Sequence, residues 1–240
     1  GMSVILDKLL KGQKVEWFPI GQIANVTKLA GYEFTKYVKY QDSGEIIALR
    51  GLNVKSHLDL SDVKYIDNSD FSKLDRSKLI IDDMLFTYVG TIGEIALIPE
   101  NNKYYLAPNV ARIRINDFNQ IMPKFMFYYF KTNLFVSTQI NKYLGSSSMK
   151  NLTMESIRKF EIPIPPLDVQ AKIVKILDAF TALTAELTAE LTMREKQYHY
   201  YRDKLLTFSD DVGWVQIGDV ATIKGRIGFR GYTVEDFVDE

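Results

Sequence analysis

From Asp168 to Phe208 the chain has neither proline nor glycine, and its apolar residues recur alternately four and three apart. The stripe runs through Ile173, Leu177, Phe180, Leu187, Leu191, Tyr198, Tyr201, Leu205 and Phe208, interrupted by Thr184 and Arg194. A period of 3.5 residues is the seam of a coiled coil. At about 1.5 Å per residue an unbroken helix here reaches roughly 60 Å, more than one compact domain needs. A lone helix packed on its own domain is the competing reading. So long a stripe is exposed unless something covers it, so the spacing points to a partner helix. The two interruptions make that partner specific. Asp168 fits the N-cap, and "SDDVGW" at 209–214 ends the run.

Upstream the texture differs. Residues 15–115 read as short strands: "EIIALRGLNV" (45–54), "MLFTYVGTIGEIALI" (84–98) as two strands around Gly90 and Gly93, and "VARIRI" (110–115). Strands at this spacing predict a twisted, barrel-like sheet. "PKFMFYYFKTNLFVSTQINKYL" (123–144) predicts one helix, with Pro123 in its first turn and Gly145 at its stop. Its six aromatic residues between 125 and 135 offer base stacking as one reading; on an amphipathic helix they belong to a core. Thr153 with Ser156 gives a helix start, and the prolines of "EIPIPP" (161–166) impose an extended edge strand and a stiff corner.

The charge balance is zero overall but uneven along the chain. Residues 103–159 carry nine Lys and Arg against only Asp117 and Glu155. A basic face on a neutral protein suits a local nucleic-acid contact; an uneven solvated surface is the plainer alternative. No cysteine is present, which excludes disulfides and thiolate metal sites and fits a cytoplasmic protein. No window is apolar enough to span a membrane. The catalytic signatures are missing. His57 and His199 are far apart in sequence, there is no phosphate-binding Gly-rich loop ending in Lys, and Asp83 with Glu94 lacks the Glu-x-Lys continuation of a nuclease. No metal or cofactor is expected on this chain.

One further pattern organises the whole. "WFPIGQIA" at 17–24 returns as "WVQIGDVA" at 214–221, with Trp17/Trp214, Ile20/Ile217, Gly21/Gly218 and Ala24/Ala221 identical. The order is a globular unit, a long helix, and the opening of a second unit.

With "VEWFPIGQIA" (15–24), "GTIGEIALI" (90–98), "APNVARIRI" (107–115) and "GSSSMKNLTMESIRKFEIPIPPLDVQAKIVKILDAF" (145–180) together, the chain resembles the specificity subunits of type I restriction–modification systems. The last stretch, as a spaced pattern through Leu152, Ile157, Pro163, Pro165-Pro166-Leu167, Gln170 and Ile173, is the specific part of the match. The resemblance implies an α+β fold: a mainly β target-recognition domain with packed helices and a short N-terminal helix at 1–166, a spacer helix at 167–208, and an incomplete second recognition unit at 209–240. It implies a non-enzymatic reader of double-stranded DNA that senses half of a bipartite target. Its expected partners are methyltransferase subunits, which bind S-adenosylmethionine, restriction subunits, and a second copy joined through the long helix. The residues expected at that pairing are Ile173, Leu177, Phe180, Leu187, Leu191, Tyr198, Tyr201 and Leu205. A half-subunit that dimerises and an excerpt of a longer protein both fit. Loop residues expected at the DNA are Arg50, Asn53, Lys55, Tyr88, Thr91, Asn109, Ser146, Ser147, Ser148, Lys150 and Asn151. The alternatives are a coiled-coil scaffold that touches no DNA, and a self-sufficient nuclease or methyltransferase.

Overall fold

One strand serves two cores at once. In β8 (Val110–Ile115), Ala111, Ile113 and Ile115 enter one apolar cluster while Val110 enters another. Ala111, Ile113 and Ile115 share one face and alternate with Arg112 and Arg114, so "VARIRI" keeps the period of two of a strand. The computed structural model describes residues 4–29, 31–144 and 151–223. Compact packing divides the chain into Gly1–Leu183 and Thr184–Glu240.

In the first unit, the described residues form three sheets rather than one barrel-like sheet. β1 (Glu16–Pro19) pairs antiparallel with β9 (Glu161–Ile164). A four-stranded sheet has the order β2 (Ala24–Lys28), β8, β5 (Met84–Thr87), β6 (Ile95–Leu97). A three-stranded sheet has β4 (Lys64–Tyr65), β3 (Ile47–Leu49) and β7 (Tyr104–Leu106), with β3 and β7 parallel. What splits the sheet is a corner. Between β7 and β8 stand Pro108, which cannot donate a ladder hydrogen bond, and Asn109, whose φ of 70° turns the chain out of the sheet. Short helices α1 (Val4–Leu10), α2 (Ile20–Ile23) and α3 (Gly31–Tyr37) punctuate the N-terminal part.

The predicted 123–144 helix is broken. α4 (Pro123–Phe130) stops at Lys131; Thr132 is extended, and its hydroxyl accepts the Phe135 N–H at 3.1 Å. The chain then continues as α5 (Asn133–Phe135), a wide five-residue turn at 136–140, and α6 (Asn141–Tyr143). The break lets Phe130 and Phe135 face each other with ring centroids 4.3 Å apart, beside Phe86 and Phe160. These rings are core, not stacking platforms. Burial pushes the Tyr129 hydroxyl up to about 12.

α7 (Met154–Arg158) is capped by Thr153, whose hydroxyl accepts the Ser156 N–H, and leads into β9. From there α8 (Leu167–Leu206) runs unbroken. It begins one residue before Asp168. The Pro166 carbonyl accepts the Gln170 N–H, so Asp168 lies in the first turn, where its carboxylate pairs with Lys172 at 2.8 Å. Val169, Gln170 and Val174 are buried. Ile173, expected at the pairing seam, packs instead against the domain's own aromatic core, because it shares the inward face with those three residues. Among the described residues no helix is long and apolar enough to cross a membrane.

The second unit continues α8 and includes α9 (Ile217–Val220). α9 repeats α2 in detail. Pro19 and Gln216 precede them at ψ 139° and 141°, and Ala24 and Ala221 follow at φ −145° and −148°, each donating its N–H to the first helical residue. Burial is what differs. Ile20 is 0% exposed and Ile217 67%; a Cβ on Gly21 would lie 3.1 Å from the Arg158 side chain, while Gly218 faces open space.

Candidate nucleic-acid interface

Loops from both larger sheets converge beyond the end of β5. The β5–β6 turn contains Gly90 and Gly93 at φ 74° and 95°, a region that side chains other than glycine enter rarely. A Cβ on Gly93 would also strike Ile140 at 2.6 Å. The turn is therefore tight, with Val89, Gly90 and Thr91 exposed at its tip.

Tyr88 is buried at the base of this turn and joins its neighbours. Its hydroxyl takes the backbone hydrogen bond of Asn109, and burial raises its pKa. The Tyr88 carbonyl accepts the Leu152 N–H at 2.9 Å, and Val89 bridges to Asn151. Lys28, at the end of β2, holds its ammonium 5.6 Å from the centre of the Tyr88 ring, within range of a cation–π contact. The Gly51 loop comes close as well: a Cβ there would meet the Asn109 carbonyl at 3.8 Å. Ser56 ties that loop to the β5–β6 hairpin by donating its N–H to the Glu94 carboxylate at 2.6 Å. One surface thus holds Lys28, Thr91, Asn109 and Asn151, all exposed.

Of the expected site residues Tyr88 is buried beneath the surface it supports, and the others fall into three groups. Thr91, Asn109 and Asn151 present side chains to solvent around Tyr88. Asn109 is the best placed: its backbone is fixed, and among the described residues no hydrogen bond holds its carboxamide. Arg50, Asn53 and Lys55 build the loop they sit on. The Asn53 side chain is fully buried; its oxygen accepts the Arg50 N–H at 3.0 Å and its nitrogen donates to the Asp59 and Asp62 carbonyls at 3.0 and 2.7 Å. Oxygen and nitrogen of that amide are both engaged inside the loop, so Asn53 braces the loop it sits on. Arg50 pairs with Asp62 at 3.1 Å, and Lys55 with Asp59 at 2.6 Å. The pairing with Lys55 holds the Asp59 carboxyl well below the usual carboxylate range. Ser146, Ser147, Ser148 and Lys150 lie outside the described residues.

Lys28 was missed, since only the β2–β8 pairing brings it beside Tyr88, 60 positions along the chain. No local motif marks it. Two further features of the sequence find other work. Asp83 is buried and held by Arg114 through two contacts of 2.6 Å, while Glu94 holds Ser56. Neither acts as half of a carboxylate pair.

A second candidate surface is the joint where α8 meets the sheet domain. Gln170 is fully buried, with every polar atom of its carboxamide used. Its oxygen accepts the Met122 N–H at 2.9 Å, and its nitrogen donates to the Gln120 and Pro165 carbonyls at 3.0 and 2.8 Å. Two turns on, Asp178 receives Lys124 at 2.7 Å and the Tyr128 hydroxyl at 2.6 Å. Beyond this latch Phe180, Leu187, Leu191, Tyr198, Tyr201 and Leu205 are exposed, and Leu177 is half-buried.

Comparison with known proteins places this arrangement. Residues 13–193 match the family model of the type I restriction modification DNA specificity domain. The type I restriction enzyme EcoR124I/EcoR124II specificity subunit of Escherichia coli is 32% identical over 90% of this chain and 50% of its own length. The EcoprrI specificity subunit of Escherichia coli is 33% identical over 86% of this chain and 53% of its own. The crystal structure of the HsdS subunit from Thermoanaerobacter tengcongensis superposes with a TM-score of 0.58 at 16% identity, covering 86% of this chain and 53% of that one. The chain spans about half the length of the curated relatives it matches.

Proposed function

Because the chain belongs to the family of type I restriction–modification DNA specificity domains, we propose that it reads one half of a bipartite site in double-stranded DNA and docks the methyltransferase subunits that carry the chemistry. The observation that carries this reading is the surface around Tyr88, where Lys28, Thr91, Asn109 and Asn151 emerge from four separate segments on a rigid base. Such a surface divides the work of recognition. An ammonium such as that of Lys28 supplies a phosphate contact, which positions the duplex but carries no sequence information. A free carboxamide such as that of Asn109 offers a donor and an acceptor together, the pattern that pairs with adenine N6 and N7 in the major groove.

The buried carboxamide of Gln170 and the Asp178 latch give this reader a stiff handle. The exposed stripe of α8 then pairs with the same stripe on a second copy, so that two readers are carried at a fixed spacing and each meets one half-site. The role is that of a specificity subunit, with methyl transfer and cleavage in other chains.

The test is to purify the chain together with its methyltransferase subunits and measure binding to duplex DNA across a salt series. Methylated adenines mapped across a genome then identify the target. Affinity that falls with salt and methylation confined to one bipartite sequence support the reading. A complex that forms without binding DNA would leave the chain a coiled-coil scaffold. Sedimentation of the chain alone tests the self-association.

A further inference from the structure

Arg112 is a buried cation without a carboxylate of its own. It stands on β8 opposite Thr27 of β2 and is 8% exposed. Its two terminal nitrogens donate to the Asn25 side-chain oxygen and the Arg76 carbonyl, both at 3.4 Å, longer than is usual for such bonds. Among the described residues, its Nε and the hydroxyl of its cross-strand neighbour Thr27 are buried without a hydrogen-bond partner. Asp83, whose charge reaches it, is committed elsewhere: its oxygens take Arg114 through two contacts of 2.6 Å and the Ile80 N–H at 2.9 Å. Burial, then the charge of Arg114, lowers the Arg112 pKa. A buried charge ordinarily has a partner, so this one is laid out for a charge that the domain itself does not supply.

β2 is an edge of its sheet, and among the described residues no strand pairs with its outer side. Two further cations gather there. Arg158 of α7 is exposed and donates to the Val26 carbonyl at 2.7 Å; Glu155, which attracts it, is already held by Lys159 at 2.6 Å. Lys28 closes the strand opposite Ala111, which follows Asn109 by two residues. From Asn25 to Lys28 the strand advances about 10 Å, the axial rise of about three successive phosphates on one DNA strand. We propose that the outer edge of β2 is a phosphate-binding strip, in which Arg112 and Arg158 grip the backbone of one DNA strand and Lys28 joins that grip to the reading surface. The strip rests on the DNA-reading role above and adds a second contact to it. A guanidinium presents its N–H donors in a planar fork that matches phosphate oxygens. In turning to a phosphate, Arg112 gives up only two long hydrogen bonds and ends its uncompensated burial. Such a grip carries no sequence information; it fixes the register in which Asn109 meets its base pair.

The test uses the chain in complex with its methyltransferase subunits and two duplexes, one carrying the target and one with its bases scrambled, over a salt series. Arg112→Met and Arg158→Gln should each weaken both duplexes alike, roughly tenfold, and flatten the slope of log affinity against log salt by about 0.9. Arg112→Lys keeps the charge and should keep most of the slope. Arg158 is exposed, so Arg158→Gln carries the test even where Arg112→Met fails to fold. Residues that only brace the fold would shift the urea midpoint and leave the slope unchanged, and that outcome in both variants overturns the strip. Methylphosphonate substitution of single phosphates checks the same contact from the DNA side. A phosphate gripped by Arg112 or Arg158 weakens the unaltered complex when neutralised and has no further effect in the matching variant; if every effective phosphate stays effective in both variants, the strip falls. Inorganic phosphate separates a free anion from the backbone: thermal stabilisation by phosphate at fixed ionic strength that needs Arg112, with duplex binding untouched by Arg112→Met, makes this a small-anion site and overturns the strip. A complex that binds no duplex at all overturns the DNA-reading role together with it.

Discussion

Asn109 combines two demands that usually conflict. Its backbone sits at φ 70°, a conformation that costs most side chains energy, while its carboxamide is offered to solvent at the corner between two sheets. Glycine satisfies the first demand and fails the second. Asn109→Gly is therefore expected to leave stability within about 0.5 kcal/mol while removing about 1–3 kcal/mol of discrimination at one base pair, read by competition binding to single-base variants of the site. Asn109→Ala loses both. Gln170 is the opposite kind of polar residue, one whose capacity is used up inside. Gln170→Ala strands the Met122 N–H and two carbonyls in the interior and should cost about 3 kcal/mol, measured by urea unfolding. Of the residues expected at the DNA, those on turns with positive φ or flanking glycines could be read from the sequence as exposed. Asn53 could not, because a buried asparagine bracing its own loop has the same local neighbours as one reaching outward. Lys28 needed the strand pairing.

At the scale of elements, α8 was legible because its signal is long and repetitive: forty residues without a helix breaker leave no competing structure. The helix at 123–144 was not, because the same apolar periodicity continues through Thr132, and only the fit of Phe130 against Phe135 explains the break. A single barrel-like sheet was expected because strand spacing does not reveal a corner such as Pro108–Asn109. The latch at the base of α8 has a pH dependence of known sign. Hydrogen bonding from Lys124, then from Tyr128, lowers the Asp178 pKa. A carboxylate depressed in the folded state adds stability above its unfolded pKa and loses it as pH falls through its folded one. Amide exchange across residues 174–182 should accelerate below pH about 4, and Asp178→Asn should remove that acid-dependent part. The helix also predicts its own mutability. A seven-residue insertion keeps the stripe nearly in phase and adds about 10 Å, close to 3 base pairs of duplex. The recognised spacer should lengthen by that amount in methylation maps, whereas five residues rotate the following stripe by about 140° and should abolish pairing.

For the molecule as a whole, an eight-residue phrase that repeats at 17–24 and 214–221 is the sequence's one sign of a second start. What the repeat becomes in three dimensions was not legible there. Both copies of the phrase make the same four-residue turn with closely matched flanking angles, although Ile20, Ile23 and Ala24 of the first are buried and the second is open to water. Its shape is thus written in neighbouring residues, and enclosure adds energy without adding form. A segment already bent as it will be bent when covered gives up little conformational freedom on meeting its cover. Ile217 and Val220 accordingly hold in the open the bend that Ile20 and Ile23 hold under cover.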